Sequence, residues 1–108
     1  MKTGSPNLTL SALATGALTV NRFTNFAGAQ AVATDVALGV ANANYATGEQ
    51  AGVQARGVLV VEAGAAVAQG AQVQPDASGR AITLAAGTAF GRALDAAAAA
   101  GDFIRVLA

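Results

Sequence analysis

Two stretches of this chain share one pattern, and that pattern limits the fold more than any other feature. The tail reads Phe90-Gly-Arg-Ala-Leu-Asp95-Ala-Ala-Ala-Ala-Ala-Gly-Asp-Phe-Ile-Arg-Val-Leu107. It is a glycine, a short strand, a loop of small residues, Gly-Asp, and an alternating strand. A looser copy runs Leu38-Gly-Val-Ala-Asn-Ala-Asn-Tyr-Ala-Thr-Gly48-Glu-Gln-Ala-Gly-Val-Gln54. Gly39 corresponds to Gly91, and Gly48-Glu49 to Gly101-Asp102. Two β-loop-β units in 108 residues point to one small all-β domain.

The core such a chain can build is thin. Hydrophobic residues make up 54% of the sequence and aromatics only 5%, because alanine supplies much of the apolar count. Each buried alanine removes little area from water, at ~25 cal/mol per Å². A domain of this size buries a modest fraction of its surface. Self-association, or docking on a larger body, would add the missing burial.

The strand signals run through the chain. Ala17–Phe23 alternates and predicts a strand; Gln30–Ala33 predicts a shorter one. Val36–Val40 is a further strand, with Asn42–Gly48 as its loop. Glu49–Arg56 and Gly57–Glu62 form the centre, and Gly57 between them predicts a bulge. Val58-Leu-Val-Val61 is apolar on both faces, so burial on both is expected, one of them as an oligomer contact. Gln72–Gln74 and Arg80–Leu84 make a hairpin around Pro75-Asp-Ala-Ser-Gly79, whose residues suit a tight turn. Thr88–Leu94 and Asp102–Leu107 are the last strands. Ala63–Gly70 and Ala96–Ala100 each allow one helical turn at most, the second with Asp95 as N-cap and Gly101 left-handed. The expectation is a small β-barrel or β-sandwich of short strands, with at most one or two helical turns. Residues 1–16 read as an extended N-terminal arm and residues 17–108 as a single β domain.

Reaction chemistry has little to work with. The chain holds no His and no Cys, which removes imidazole bases, thiol nucleophiles and the usual zinc and copper ligands. The acids are spread singly near turns. No phosphate-binding glycine motif is present. The expectation is a non-enzymatic protein with no catalytic residue, no cofactor and no metal site. Charged residues are 11% with net charge +0, and the basic residues are dispersed, which argues against a nucleic-acid partner. No segment approaches ~18 uninterrupted apolar residues, so no membrane span is expected. Met1-Lys2 before Leu8–Val20 makes a poor signal peptide, because Thr, Ser and Gly break the apolar run.

What remains is surface. Leu8 and Leu10 on the arm are candidate contact residues. So are Arg22, Phe23 and Phe26, an Arg/Phe mixture that suits an interface centre. Phe90 and Phe103 are expected in the core, packed together.

The stretch Gly57-Val-Leu-Val-Val-Glu-Ala-Gly-Ala-Ala-Val-Ala-Gln-Gly-Ala-Gln-Val-Gln-Pro-Asp-Ala-Ser-Gly-Arg80, followed by Gly91–Leu107, resembles the small capsid decoration ("cement") proteins of tailed bacteriophages. The resemblance runs from about Val36 to the end and leaves the arm uncovered. Arg92 stands where an apolar residue is more usual in that family. The resemblance implies a compact β domain on the outer surface of an icosahedral head, made in the bacterial host cytoplasm. It implies a homo-oligomer, a trimer in the first place, that clamps neighbouring major capsid proteins. The competing reading is a small β-type binding module for carbohydrate or peptide on a virion or cell surface.

Overall fold

The computed structural model describes residues 3–108. It holds eight strands: β1 (Ser5–Leu13), β2 (Phe23–Asn25), β3 (Ala37–Ala41), β4 (Gln50–Glu62), β5 (Gln72–Pro75), β6 (Ala81–Thr83), β7 (Gly91–Ala93) and β8 (Phe103–Leu107). All strand pairings are antiparallel and no residue among those described is helical. The fold is an all-β, nearly closed, barrel-like sheet. Residues 5–13 of the expected arm are a strand of that sheet; Met1 and Lys2 lie outside the described residues.

The spine is β4. Its residue Gln54 pairs with Thr9 of β1 and Val40 of β3, while Val58 pairs with Ser5 of β1 and Leu107 of β8. So β1 holds one edge of β4 from Gln50 to Val58, and β3 and β8 share the other edge in succession. The β2–β3 wing and the β8–β7–β5–β6 wing leave that edge and curl towards each other. They meet where Phe23 N–H donates to the Gly79 carbonyl at 2.7 Å and Gln30 Nε2 to the Ser78 carbonyl at 2.9 Å. Between the wings, the Phe23 and Phe90 rings meet edge to face at 5.1 Å, a favoured aromatic geometry.

Gly57 sits where β4 passes from one neighbour to the other. The Gly52 carbonyl faces β3, accepting from Asn42, whereas Gly57 exchanges both backbone bonds with Ala108 beyond β8. The residues facing that edge thus change from even to odd numbers, which requires an extra residue in the strand. The register against β1 is irregular at the same place. Gly57 has φ 106°, and a Cβ there would lie 2.7 Å from the Ser5 carbonyl oxygen. The bulge also swaps the faces of the sheet. Val53 and Leu59 are an even number apart and would share a face on a regular strand. Instead they lie in different clusters. Leu59 and Val61 pack with Phe23, Ala31, Ala37, Val40, Val73, Ile104 and Val106. Val53 packs with Ala14, Leu18, Ala41 and Ala51.

The similarity of the two sequence stretches is the visible part of a longer duplication. Pairing Leu13↔Gln50 in β1–β4 is repeated as Glu62↔Phe103 in β4–β8. Phe23↔Val40 and Thr24↔Gly39 return as Gln72↔Arg92 and Val73↔Gly91. Ala41↔Val53 returns as Ala93↔Val106, and the bridge Leu18↔Tyr45 as Val67↔Ala97. Off the strands the match holds. Ala14 bonds to Gly48 and Glu49 as Ala63 does to Gly101 and Asp102. Asn21, with φ 63°, takes the place of Gly70, with φ 85°. The chain is therefore two copies of one unit. β4 closes the first copy with its N-terminal half and opens the second with its C-terminal half.

Several expectations are corrected. The strand expected at 17–23 begins only at Phe23, because residues before it arch over Val53 and Asn21 turns left-handed. Gln30–Ala33 contributes one bridge rather than a strand. The loops 63–70 and 96–100 are not helical: Asp102 takes the Ala98 and Ala99 amides, and Asp95 binds Arg105 as a two-pronged pair at 2.9 Å instead of capping a helix. Phe103 is 47% exposed and does not pack on Phe90. Ile104 and Val106 of β8 point inward, so Phe103 and Leu107 must point out.

Candidate interaction surface

Among the described residues no three His, Cys, Asp or Glu side chains gather. The groups that do stand out are large apolar side chains in water: Leu8, Leu10 and Leu13 on β1, Phe26 with Val32 and Val36, and Phe103 with Leu107.

The first group is displayed by an edge strand. β1 is nine residues long and lies almost wholly exposed on both faces. Leu8 is 43% exposed and Leu10 36%. Among the described residues no strand pairs with the opposite edge of β1. A long strand with an open edge and exposed leucines is a template for further pairing unless something covers it.

The second group is held by a rigid turn. Asn25 Oδ1 accepts from the Ala27 and Ala29 amides, both at 3.0 Å, and Asn25 N–H donates to the Ala29 carbonyl at 2.8 Å. Thr15 Oγ1 donates to the Ala27 carbonyl at 3.0 Å, tying the turn to the end of β1. Phe26 stands at the tip, 69% exposed. Beside it is a shallow hollow lined by Asn25, Phe26, Ala27, Asp35 and Val36. Asp35 Oδ2 accepts from Asn25 Nδ2 and from the Val32 amide, each at 3.0 Å. The Asn25 bond first, then the Val32 amide, hold this carboxyl below its ordinary range. The charged form therefore braces the loop that presents Phe26.

The duplication shows what the turn itself needs. In the second unit Asp76 stands for Asn25: Asp76 Oδ1 accepts from the Ser78 and Arg80 amides, and Asp76 N–H donates to the Arg80 carbonyl. Ala77 takes the tip there. An identical turn thus forms around alanine, so the fold does not call for Phe26.

Arg22 and Phe23 are placed otherwise. Phe23 is 0% exposed. Its parity on β2 turns it into the core against Phe90, which corrects its expected place at a surface. Arg22 is partly covered and bonds Glu62 Oε1 through Nε and Nη2, both at 3.4 Å. Glu62 Oε2 also meets Arg80 Nη1 at 3.5 Å, and Arg80 reaches Asp76. Arg22 thereby joins the first unit to the second. The exposed pair Phe103 and Leu107 had no separate sequence signal; the inward positions Ile104 and Val106 would have revealed them once β8 was paired. Arg92 is exposed, whereas its counterpart Val40 is fully buried.

A family model described as phage cement protein matches residues 1–108. Among solved structures, the head fiber gp8.5 N base in bacteriophage phi29 is similar in fold, with a TM-score of 0.75, 18% identity, and coverage of 92% of this chain and 91% of that chain. No curated protein matches the sequence.

Proposed function

The chain belongs to the phage cement protein family, structural proteins of the phage capsid, and from that premise we propose that it binds the outer surface of a phage head and links neighbouring major capsid proteins. It does so as a homo-oligomer, a trimer in the first place, and without catalysis. The observation that supports this is Phe26. A rigid, internally bonded turn lifts an aromatic ring into solvent, and the chain's own second copy of that turn builds the same structure around Ala77. A phenylalanine exposed at 69% that the fold does not require serves as an anchor for a partner. Val32 and Val36 widen the apolar patch, and Asp35 braces it.

The mechanism is linkage. A ligand that binds the assembled lattice and not its dissociated parts shifts the equilibrium towards the intact shell. One contact can be weak, because many copies act on one lattice.

The test is saturation binding to cognate undecorated heads, read by co-sedimentation. Wild-type protein binds to a fixed number of copies per head. Phe26→Ser keeps the fold, read by circular dichroism, and lowers the affinity at least tenfold. Unsaturable binding, or equal binding by Phe26→Ser, refutes the proposal.

A further inference from the structure

The duplication places two unlike surfaces in equivalent positions, and the contrast assigns them a use. Within the chain, the face of the second unit that carries Leu59 and Val61 packs on that unit's own Val73 and Val106 and is covered further by the first unit. Phe23, Ala37 and Val40 of β2–β3 lie in the same cluster as Leu59 and Val61, which are both 0% exposed. The register of β1–β4 and β4–β8 makes Leu10 and Ala12 the counterparts of Leu59 and Val61. Leu10 and Ala12 belong to the face of Val53 and Ala51, yet Leu10 is 36% exposed and Ala12 only partly covered. The first unit's face is thus covered at Val53 and Ala51 by Leu18 and Ala41, but its Leu10 end lacks the cover that Leu59 has.

The cover has a counterpart too. The residues equivalent to Phe23, Ala37 and Val40 are Gln72, Ala89 and Arg92. All three are exposed. Together with Phe90 and Leu107 they line one wall of a groove of about 460 Å³, whose other wall is Ala37 of β3 with Ala55 and Arg56 of β4. The side of the second unit that corresponds to the covering side of the first is therefore free, and it is concave.

We propose that a second copy of this chain docks head to tail: β1 of one copy, through Leu10 and Ala12, seats in the Gln72–Ala89–Arg92 groove of the next. The contact repeats between chains the packing that the two units make within one. It rests on the self-association proposed above and names its two surfaces. Such a contact uses different patches on the two partners, so it propagates from copy to copy, and a three-fold rotation between copies closes it into the trimer proposed above. Gln72 and Arg92 in place of Phe23 and Val40 make the groove wettable, which suits a surface that must also stay soluble before assembly. Arg92 Nη1 donates to the Gly70 carbonyl at 3.0 Å, which holds the guanidinium at the groove wall.

Two substitutions at opposite ends test the geometry. Leu10→Asp spoils the strand and leaves the groove; Ala89→Asp spoils the groove and leaves the strand. Leu8→Asp, at a 43% exposed site, stands in for Leu10→Asp if that variant melts early. Masses are read by light scattering behind a sizing column, and folding by circular dichroism. The wild type is expected as an oligomer and each variant alone as a folded monomer. An equimolar mixture of the two variants is expected at twice the monomer mass and no higher, because one strand and one groove remain intact. An Ala89→Asp protein that still assembles alone means a face-to-face contact and overturns the proposal. So does a monomeric wild type, or a mixture that stays monomeric. Binding of the same proteins to undecorated heads is read separately. Heads that still bind saturably while the solution masses fail leave the capsid role standing and remove only this interface.

Discussion

Leu59 and Leu10 hold the same place in the two units but not the same surroundings, and alanine at each should show it. Leu59 is 0% exposed at the centre of the larger cluster. Leu→Ala there removes about three carbon groups from the core, ~0.8 kcal/mol each, or roughly 2.4 kcal/mol by transfer alone. Leu59 is paired with Val106 of β8 and enclosed by the larger cluster, so the gap does not close, a cavity adds to the cost and the total is about 3 kcal/mol or more. Leu10 is 36% exposed on an edge strand, so the transfer part falls to roughly 1.5 kcal/mol. Water fills the space, leaving about 1 kcal/mol. A domain of this size has about 5–15 kcal/mol in all. At about 4 °C per kcal/mol, Leu59→Ala should lower Tm by about 12 °C and Leu10→Ala by about 4 °C. Urea unfolding followed by circular dichroism, at a concentration where the protein is monomeric, gives both values. Equal losses for the two variants in the monomer would refute the reasoning, since the uncovered state of the first unit would then be false.

Thr24 is fully buried and its Oγ1 has no hydrogen-bond partner; Val73 fills the equivalent site, so Thr24→Val should raise unfolding free energy by about 1 kcal/mol in a urea titration. Gly39 and Gly91 lie where a neighbouring strand comes close: a Cβ would stand 2.3 Å from the Gln54 oxygen and 2.5 Å from the Leu107 oxygen. Alanine at either should cost more than ~2 kcal/mol, whereas alanine at Gly48, with φ 92° and open space, should cost only about 1–2 kcal/mol of backbone strain. Thermal melts would rank the three. The Asp35 carboxyl is held below its ordinary range, so its contribution is present above the unfolded value of ~3.9 and is lost as pH falls through the lower folded value. Hydrogen exchange over residues 25–36 should be faster in Asp35→Asn than in the wild type at neutral pH, and that difference should shrink as acid is added; a difference that persists unchanged to about pH 2 would contradict this.

The parts of the fold legible in the sequence were those where geometry demands a residue type. Gly39 and Gly91 repeat because each faces an approaching carbonyl, and Gly48 and Gly101 repeat because each turns left-handed, with φ 92° and 94°. The tight turn at Pro75–Gly79 and the bulge at Gly57 were legible for the same reason. The rest of the duplication was hidden because packing, not backbone, sets those residues, and the two units pack differently. Phe23 stands against Gln72, Leu38 against Phe90, Phe26 against Ala77. The inside–outside order of the large residues was hidden by Gly57, since one extra residue in β4 moves every later side chain to the other face. Phe23 and Phe26 are three residues apart and looked alike in sequence. Only the pairing of β2 with β3 separates the core ring from the exposed one. Ala96–Ala100 reads as helical by propensity, but Asp102 captures its amides and the loop must also bridge Val67, so tertiary context prevails.

A duplicated unit that shares a strand has an unavoidable asymmetry. The joined strand β4 has neighbours on both edges; the first strand β1 and the far side of the second unit do not. Evolution of such a chain has two ways to manage its ends: cap them with polar residues, or use them. Here the ends differ. The far side became polar at Gln72 and Arg92, while β1 kept Leu8, Leu10 and Leu13. Were both ends simply capped, β1 would carry charge in place of leucine, as exposed edges usually do. Were both ends hydrophobic, the free chain would expose two apolar patches and associate without specificity. One apolar strand facing one wettable groove gives a contact weak enough to form reversibly in solution. The shell, by holding many copies in register, then supplies the effective concentration that makes it persist.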